Sequence, residues 1–373
     1  MIIAINTRLL LTGRMEGIGR FTFEILKRIT TKHKEHTFIF FFDRPYDSKF
    51  VFAENVIPIV LFPPSRHPVL WFWYFEYSIS KALKKYHADL FISTDGWMSL
   101  KTKVKSLQVL HDLHFLNSPE SLPYLTRKYY RYFFPRFIQK ANRIVTVSNF
   151  SRNEILANYP VDENTVDVVF NSTRTEYHPL NADEILHFRN EYSSGSPYFL
   201  FIGPIHPRKN ADRIIEAFIE YKKKSGGPEK LLITGAHMWR NFGALKKSSI
   251  PDDAQNIIFT GYVSEETLFR ITAGASCLLY VSLYEGFGIP ILEAMSCDVP
   301  VITSNCSAMP EVAGDAALLV NPESVNSIAD AIQRIQTNPN LRKELIQKGR
   351  INLQRFSWDK SAEKFWKIIE QML

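Results

Sequence analysis

Short apolar segments alternate with longer amphipathic segments through both halves of this chain. The apolar segments, of which Phe38–Phe42 and Tyr198–Ile202 are examples, span three to six residues and are rich in β-branched and aromatic side chains. In the longer segments an apolar residue recurs every three or four positions, as expected for a helix with one buried face. Strands that alternate with helices favour parallel sheets covered by helices, and therefore an α/β fold.

The pattern predicts thirteen strands and several helices between them. Seven strands lie in the first half, at Ile2–Ile5, Phe38–Phe42, Val56–Leu61, Leu90–Ile92, Leu107–Leu110, Ile144–Val147 and Val166–Phe170. Six lie in the second half, at Tyr198–Ile202, Leu231–Thr234, Ile257–Phe259, Cys277–Val281, Val299–Ile302 and Ala317–Val320. Helices are predicted at about 17–32, 71–86, 122–141, 150–158, 209–224, 264–273, 290–296, 324–337, 340–354 and 357–372.

The length of 373 residues is enough for two domains. Residues 171–197 are rich in Asn, Ser, Thr and Pro and fit a linker followed by a short helix. We therefore predict two doubly wound α/β domains joined by this linker. In such folds the crevice between the domains is the expected place for a ligand.

Composition and motifs exclude several classes of protein. The longest apolar run, Val69–Phe75, is far shorter than the roughly 18 residues that span a bilayer, and the first twenty residues lack the apolar core of a signal peptide. The cysteines, Cys277, Cys297 and Cys306, form no C-x-x-C pair, which argues against a disulfide framework or a structural zinc site. We expect a cytoplasmic protein.

Positive charge is concentrated in the first half. Residues 1–180 contain 24 Lys and Arg against 16 Asp and Glu, whereas the remainder contains 21 against 22. A basic half indicates an anionic partner. Nucleic acid is the least favoured, because the basic residues form no recognisable nucleic-acid-binding motif. The aromatic stretches Trp71–Phe75 and Tyr129–Phe134 favour an anionic lipid or a lipid-linked sugar; a core helix with solvated lysines is the alternative.

Two segments of the second half have the character of phosphate-binding loops. Gly286 and Gly288 follow the apolar strand that ends at Val281, and they precede a predicted helix whose amides would point at an anion. Arg208 and Lys209 follow another strand and precede another helix, so they are placed to neutralise a diphosphate. The alternatives are an ordinary turn in the first case and two solvated surface cations in the second.

A family resemblance is carried by two glutamates. Glu285 and Glu293, with seven residues between them, resemble the E-x7-E signature of the large retaining glycosyltransferase family known as family 4. Further segments resemble the same family in the same order along the chain: His111-Asp112, Val147–Ser151, Phe201–Asn210, Gly261–Val263, Tyr284–Met295, Pro300–Ile302 and Pro310–Gly314. The matches extend over nearly the entire chain, and those within 198–322 are the specific ones.

The resemblance implies the GT-B arrangement, in which two Rossmann-like doubly wound domains face each other across a cleft. It implies an acceptor domain at 1–178 and a nucleotide-sugar domain at 179–356, with a C-terminal helix at about 357–373 packed back on the first. The implied enzyme moves a mannose- or glucose-type sugar from a GDP- or UDP-sugar to a glycan or lipid-linked acceptor in cell-surface polysaccharide synthesis. Separately from the resemblance, the basic first half and its aromatic stretches lead us to expect peripheral contact with anionic lipid on the inner face of the cytoplasmic membrane.

The resemblance also assigns roles in the second domain. Glu285 would orient the donor sugar, and Glu293 would hold the ribose hydroxyls. Arg208, Lys209 and the backbone amides of residues 286–289 would stabilise the departing diphosphate. The remaining donor-binding residues implied in this domain are Gly203, Tyr262, Val263, Gly286, Phe287, Gly288 and Ile289, of which Tyr262 and Val263 would lie near the base.

In the first domain the resemblance implies three site residues. His111 would contact the transferred sugar, and Gly17 and Gly19 would lie under the donor phosphates. The alternatives are a core histidine with satisfied hydrogen bonds and a loop whose glycines supply positive φ angles. Many relatives carry Asn-Gly-Val-Asp after the last strand of this domain; here the residues are Asn171, Ser172, Thr173 and Arg174, so this chain has no acid there.

Neither a metal nor another cofactor is expected. Glycosyltransferases of the other major fold hold a divalent ion with a D-x-D pair, and no two aspartates of this sequence are separated by a single residue. Two other functions stay open. One is a nucleotide-sugar 2-epimerase of the same architecture, which needs no acceptor; the other is a non-catalytic subunit that binds a nucleotide sugar. Both glutamates and the Arg208-Lys209 pair are present, which argues against the second.

Overall fold

The computed structural model describes residues 1–13, 15, 17–117, 119, 122–235 and 255–373. The chain divides into two compact units. The first unit contains Met1–Asn171 together with Ser357–Leu373, and the second contains Ser172–Phe356. The chain therefore passes from the first unit to the second at the start of the predicted linker.

The first unit is built on a sheet of seven parallel strands. These are β1 (Ile2–Asn6), β2 (Thr37–Phe42), β3 (Val56–Val60), β4 (Leu90–Ser93), β5 (Lys105–Val109), β6 (Arg143–Thr146) and β7 (Val166–Val168). Their order across the sheet is β3-β2-β1-β4-β5-β6-β7. The chain runs outward from β1 to β3 and then returns to place β4 on the other side of β1. This reversal opens a crevice at the carboxyl ends of β1 and β4, where doubly wound sheets bind ligands.

The second unit repeats the plan with six parallel strands. These are β8 (Tyr198–Ile202), β9 (Lys230–Thr234), β10 (Ile257–Gly261), β11 (Cys277–Tyr280), β12 (Val301–Ser304) and β13 (Ala317–Val320). The order β10-β9-β8-β11-β12-β13 puts the reversal between β8 and β11. The loops that follow these two strands contain Arg208, Lys209 and Glu285. The topology thus brings the strongest sequence motifs to one edge of one sheet.

Helices connect the strands in both units. They are α1 (Gly17–Lys32), α2 (Pro68–Trp73), α3 (Ser80–Lys85), α4 (His114–Asn117), α5 (Tyr124–Lys140), α6 (Asn149–Asn158), α7 (Ala182–Ser193), α8 (Ala211–Ser225), α9 (Glu265–Ala273), α10 (Ile289–Ser296), α11 (Met309–Ala313), α12 (Val325–Thr337), α13 (Pro339–Asn352) and α14 (Trp358–Glu370). None of them, within the described part of the chain, has the length and apolar character needed to cross a bilayer.

The last helix, α14, packs against α1 in the first unit. Phe365 of α14 meets Phe21 of α1 edge to face, with 6.1 Å between ring centroids. At the surface, Nε of Arg28 in α1 donates to Oδ1 of Asp359 at 2.6 Å. Phe21 and Phe365 are both fully buried, so this contact is part of the core of the first unit. The C-terminal segment is therefore integral to the unit formed by the N-terminal half.

The helix predicted at 71–86 is divided into three parts. The α2 and α3 helices are joined by a π-helical turn over Tyr74–Ile79. Glu76 of this turn is buried, and its two oxygens accept from the backbone N–H groups of Leu100 at 2.8 Å and Lys101 at 3.1 Å. Burial nonetheless raises the pKa of Glu76. The periodicity of residues 71–86 predicts a continuous helix, because neither the π-helical turn nor the contact of Glu76 with another loop leaves a local pattern in the sequence.

The predicted strands are all present in the described residues. Most of their ends fall within two residues of the expected positions, because fully buried parallel strands leave a continuous apolar signal in the sequence. The short helix expected after the linker is α7, which begins with a capping box between Asn181 and Glu184. The short helices α4 and α11 were not predicted, since four or five residues are too few to show a helical period.

Candidate active site

Two neighbouring loops of the second unit form the candidate site. The β8–α8 loop carries Arg208 and Lys209, and the β11–α10 loop carries Glu285. Because β8 and β11 are adjacent and parallel, with Phe199 opposite Cys277, both loops leave the sheet at the same edge. The structure therefore brings together three residues that are far apart in the sequence.

Glu285 is paired with both cations. Its Oε2 lies 2.7 Å from Nη1 of Arg208, and its Oε1 lies 2.7 Å from Nζ of Lys209. Nη1 of Arg208 also donates to the backbone oxygen of Tyr284 at 2.9 Å, while Nζ of Lys209 donates to the hydroxyl of Tyr280 at 2.9 Å. The Lys209 and Glu285 side chains are each 10% exposed. The alternative of a solvated surface cation is therefore wrong for Lys209.

The electrostatics keep Glu285 ionised. Burial alone would raise its pKa, but the charges of Lys209 and Arg208 outweigh burial and lower the pKa to about 2. Burial and the Glu285 charge raise the pKa of the Tyr280 hydroxyl, which stays protonated. At neutral pH the two cations and one carboxylate carry one net positive charge. Such a site attracts an anion and also offers a carboxylate acceptor for hydroxyl groups.

Asn210 holds the two loops together. Its φ of 60° is a left-handed conformation that asparagine tolerates better than most residues. Its side-chain amide donates to the carbonyl of Val281 at 3.0 Å and to that of Pro322 at 2.7 Å. The backbone N–H of Leu283 donates to the carbonyl of Arg208 at 2.8 Å. These bonds fix the loop with the cations against the loop with the glutamate.

Gly203 makes room for Lys209. It has a φ of 142°, and a Cβ atom at this position would lie 3.3 Å from Cε of Lys209. The lysine side chain therefore passes over the glycine on its way to Glu285. A direct contact of Gly203 with a donor stays a prediction, but the packing already explains why a glycine follows β8.

The start of α10 is formed by backbone with no side-chain cap. Gly288 occupies the N-cap position with a φ of 106°, and Ile289 is the first helical residue. The ring of Phe287 is buried edge to face against Phe356, with centroids 5.7 Å apart. Phe287 thus turns its side chain to the core, and only its backbone is placed to meet a ligand with that of Gly286. The N–H groups of a helix start favour an anion.

Glu293 is one turn further along α10 and has a different partner. It is buried, and its Oε1 accepts from Nε of Arg174 at 3.0 Å. Tyr262 and Val263 follow β10 at the far side of the same sheet, and the Tyr262 side chain is 60% exposed. The predicted roles of these residues toward a ribose and a base stay predictions. Arg174 was not foreseen as a partner of Glu293, because nothing local in the sequence links the two.

His111, Gly17 and Gly19 belong to the first unit. His111 follows β5, and its Nε2 lies 2.9 Å from the carbonyl of Thr94, which only accepts, so Nε2 is the donor. Burial lowers the pKa of His111 and favours the neutral ring. A Cβ atom on Gly19 would lie 2.6 Å from the carbonyl of Leu9. Close packing therefore explains Gly19.

The alternative explanation of the glycines in the loop at residues 13–20, that they supply positive φ angles, does not hold for Gly17 and Gly19. Neither Gly17 nor Gly19 has a positive φ angle, whereas Gly13 has a φ of 74°. A Cβ atom on Gly17 would have open space around it. Arg14 and Glu16 of the same loop lie outside the described residues. A need for positive φ therefore applies to Gly13 and not to the two predicted site residues.

Two side chains that contact the site residues were not predicted from the sequence. Tyr280 appears in the sequence as one more apolar strand residue, yet its hydroxyl contacts Lys209. Ser307, on the loop after β12, accepts from the backbone N–H of Glu285 at 3.2 Å. Only the order of the strands reveals these contacts. Within the described ranges, no three His, Cys, Asp or Glu side chains are grouped so as to hold a metal ion.

Comparison with known families decides the class of protein. Residues 183–352 match the model described as glycosyl transferases group 1, and residues 15–177 match the model described as glycosyltransferase family 4. Together the two matches extend over most of the chain, one in each half.

The chain belongs to the group 1 glycosyltransferases of the family 4 type. This glycosyltransferase is 28% identical over 362 residues to an O-antigen chain mannosyltransferase B of Escherichia coli, with 92% of this chain and 93% of that protein covered.

Solved structures show that the glycosyltransferase has the GT-B fold. A sucrose-phosphate synthase from Thermosynechococcus elongatus superposes with a TM-score of 0.78 at 19% identity, over 100% of this chain and 98% of that one. The Anabaena protein HepE, solved in complex with UDP-glucose, superposes with a TM-score of 0.73 at 16% identity, over 100% of both chains. The predicted fold class is confirmed.

Proposed function

We propose that this glycosyltransferase is a retaining enzyme that moves a hexose of the mannose type from a nucleotide diphosphate sugar to an acceptor of a cell-surface polysaccharide. The observation that carries the proposal is the buried cluster of Arg208, Lys209 and Glu285 beside the start of α10. The name of the E. coli relative supports the sugar and the class of product. The HepE complex supports a nucleotide sugar as donor.

In the proposed reaction the bond between C1 of the donor sugar and the diphosphate oxygen breaks. A bond from the acceptor oxygen to C1 forms on the same face, and the acceptor proton passes to the leaving diphosphate oxygen. Glu285 is ionised and paired with two cations, so it acts as a hydrogen-bond acceptor that orients the sugar and not as an acid. Retention is supported by the E-x7-E pattern of Glu285 and Glu293.

The charge of the departing diphosphate is met by groups of the protein. Arg208 and Lys209 supply two cations, and the largely buried position of Lys209 strengthens its interaction with a negative charge. The N-terminus of α10 adds a partial positive charge. Because these groups are placed to offset the charge of a departing diphosphate, we propose that the reaction needs no metal ion or other cofactor. Gly17 and Gly19 are proposed to lie under the donor phosphates.

His111 is proposed to contact the transferred sugar. Its Nε2 already donates to the carbonyl of Thr94, so Nδ1 is the atom that remains to accept from a sugar hydroxyl. The edge-to-face contact with Phe21, at 5.2 Å between ring centroids, fixes the plane of the imidazole. A neutral ring suits this role, because a hydroxyl donor needs an acceptor.

The acceptor is proposed to be linked to lipid at an anionic membrane. A surface of the first unit, here called the aromatic–cationic surface, combines exposed aromatic rings with cations stacked on them. Nζ of Lys101 lies 3.6 Å from the ring centroid of Tyr77, and Cζ of Arg136 lies 3.7 Å from that of Tyr132. Trp73 is exposed and stacks on Tyr77 at 4.6 Å.

The two halves of this surface are joined by Phe72 of α2 and Phe133 of α5, whose ring centroids are 6.0 Å apart. Exposed aromatic residues with cations beside them are typical of proteins that rest on anionic lipid, because the rings enter the headgroup region while the cations meet phosphates. The prediction of a core helix with solvated lysines accounts for the buried faces of these helices but not for the exposed rings.

A donor screen tests the proposed function. The full chain is titrated with GDP-mannose, UDP-glucose and UDP-galactose by calorimetry, and the donor that binds is then incubated with membranes from cells that lack the gene. We expect sugar to appear in the lipid-linked fraction only when both donor and membranes are present. Formation of an isomeric nucleotide sugar from donor alone would instead favour the 2-epimerase. Donor binding with no product under either condition would favour the non-catalytic subunit.

A further inference from the structure

A buried arginine from the linker joins two helices of the second unit. Arg174 reaches Oε1 of Glu293 in α10 with two nitrogens, Nε at 3.0 Å and Nη2 at 2.9 Å. Its Nη1 lies 3.3 Å from Oε2 of Glu265, the first residue of α9. The Arg174 and Glu293 side chains are 10% and 6% exposed, whereas Glu265 is 54% exposed. One guanidinium therefore connects a buried carboxylate with a solvated one.

The arginine is itself held in place by Tyr177. Nη2 of Arg174 donates to the Tyr177 hydroxyl, and the guanidinium carbon lies 4.6 Å from the centre of the same ring. The Tyr177 ring is buried and meets Phe269 of α9 edge to face at 5.5 Å. A side chain with this many fixed contacts has little freedom to turn. Its position is therefore set before any ligand arrives.

The cluster lies beside the residues that are predicted to bind the nucleoside. Glu293 is the residue proposed for the ribose hydroxyls, and Tyr262-Val263 come directly before Ser264, the N-cap of α9. Glu265 is the first residue of α9, so Arg174 contacts a helix that begins directly after Tyr262, Val263 and Ser264. A carboxylate as buried as Glu293 needs a cation beside it to replace the water that it has lost, and the Arg174 guanidinium supplies that charge.

Resting on the proposed nucleotide-sugar donor, we infer that Arg174 is a positioning residue for recognition of the nucleoside. It pairs with the Glu293 carboxylate and orients it to accept from the ribose hydroxyls, and it fixes the start of α9 beside the base. Arg174 does not touch the ribose in this account. It acts through Glu293, in place of the acid that many relatives carry at the same point of the linker.

Two other roles for Arg174 give different expectations. An arginine that serves only to stabilise the fold would change the melting temperature and weaken every nucleotide by the same factor. An arginine that competes with the ribose for Glu293 would give tighter nucleotide binding when it is removed. Only the inferred role predicts that removal of Arg174 weakens nucleotides that carry ribose hydroxyls more than nucleotides that lack them.

The experiment compares nucleotides with and without those hydroxyls. GDP and UDP are titrated into the full-length protein, and the nucleotide that binds more tightly is repeated as its 2′,3′-dideoxy form. For the natural chain we expect the dideoxy form to bind about 10- to 100-fold more weakly, the effect of losing charge-assisted hydrogen bonds. The ratio of the Kd of the dideoxy form to the Kd of the natural nucleotide should fall to about threefold or less in Arg174→Ala. In Arg174→Lys it should recover in part, because one charge is restored without the planar fork.

Controls separate this effect from a loss of structure. Arg350→Ala removes an exposed arginine–aspartate pair of the same unit and should leave the ratio unchanged. Truncation of a buried arginine can prevent folding, so Tyr177→Phe provides a milder test. It removes one acceptor from the guanidinium and keeps the ring, and it should lower the ratio by about threefold. In a transfer assay, Arg174→Lys should raise the donor KM more than it lowers kcat.

The outcomes are distinct. A ratio that stays at its natural value in Arg174→Ala and Tyr177→Phe would overturn the inference, as would tighter nucleotide binding by Arg174→Ala. A natural chain that binds both forms equally would show that Glu293 does not recognise the ribose, which also overturns it. If neither GDP nor UDP binds to the natural chain, the proposed function fails, and this inference fails with it.

Discussion

Nζ of Lys209 lies 2.7 Å from Oε1 of Glu285, on the neighbouring loop of the second sheet. The pair is buried, and Arg208 holds the other oxygen of the same carboxylate at 2.7 Å. Lys209 is thus fixed in the site by a charge that remains when a diphosphate binds. A lysine held in this way loses little side-chain entropy on meeting its ligand, which favours both affinity and rate.

Glu285→Gln should separate rate from affinity. The amide keeps the size of the side chain but removes the charge that orients the donor sugar, so we expect kcat to fall about 100-fold or more. The two cations then carry two net positive charges, so the Kd for the nucleoside diphosphate should stay the same or decrease. Steady-state kinetics and calorimetry on the same preparation check both parts. An unchanged kcat would show that Glu285 has no role in the reaction.

Lys209→Ala should weaken both donor binding and turnover. The diphosphate loses one of its two side-chain cations, and Glu285 loses one of its two ion-pair partners, so kcat/KM should fall about 10- to 100-fold. Lys224→Ala serves as the matched control, because this exposed lysine lies on α8, the next helix, and far more of its side chain is in water. Equal donor affinity in Lys209→Ala and the natural chain would contradict the phosphate site.

The same ion pairs give a stability that depends on pH. The pKa of Glu285 is lowered from 4.5 to about 2 in the folded chain, so the stabilisation is fully present above about pH 5 and declines as the pH falls toward 2. A shift of that size corresponds to about 3 kcal/mol of unfolding free energy. The difference in unfolding free energy between the natural chain and Glu285→Gln should therefore shrink between pH 5 and pH 2. A constant difference over this range would argue against a charged Glu285.

Much of the fold could be predicted from the sequence because its signals are local. Buried parallel strands such as Tyr198–Ile202 are continuous apolar runs, and helices such as α8 show a regular apolar period. The π-helical turn over Tyr74–Ile79 was not predictable, since the local sequence keeps the apolar period of an ordinary helix. The hydrogen bonds of Glu76 to two amides of another loop also leave no local signal in the sequence.

The candidate site could be predicted only in part, because some of its contacts join residues that are far apart in the sequence. Arg208, Lys209 and Glu285 stand in motifs, so the sequence indicates them one by one, and the order of strands then brings them together. Arg174 stands in a segment that departs from the family pattern, and its partner Glu293 is more than a hundred residues away. No local rule connects two such charges. Contacts of this kind need the tertiary structure.

The aromatic–cationic surface predicts binding to anionic lipid that depends on salt. Replacing Lys101 and Arg136 by glutamate should lower retention on vesicles of phosphatidylglycerol about tenfold or more, since each basic residue near such a surface contributes on the order of 1 kcal/mol. Trp73→Ser should weaken retention at both low and high salt. Lys343→Glu, an exposed position of the second unit, is the control. Equal retention on neutral and anionic vesicles would favour an acceptor that is not linked to the membrane.

Transfer should continue in excess EDTA. The cations of Arg208 and Lys209 and the start of α10 replace the divalent ion that a D-x-D pair would hold, so we expect little loss of rate. The rate is measured with and without EDTA and again after addition of manganese or magnesium. Loss of activity in EDTA with rescue by either ion would overturn the metal-free mechanism.

The configuration at C1 of the transferred sugar tests the proposed retaining transfer most directly. Donor labelled with ¹³C at C1 is incubated with the full chain and acceptor membranes, and the anomeric carbon is followed by NMR from donor to product. A retaining transfer gives a glycosidic product with the same anomeric configuration as the donor, formed with release of the nucleoside diphosphate. A product of inverted configuration would contradict it.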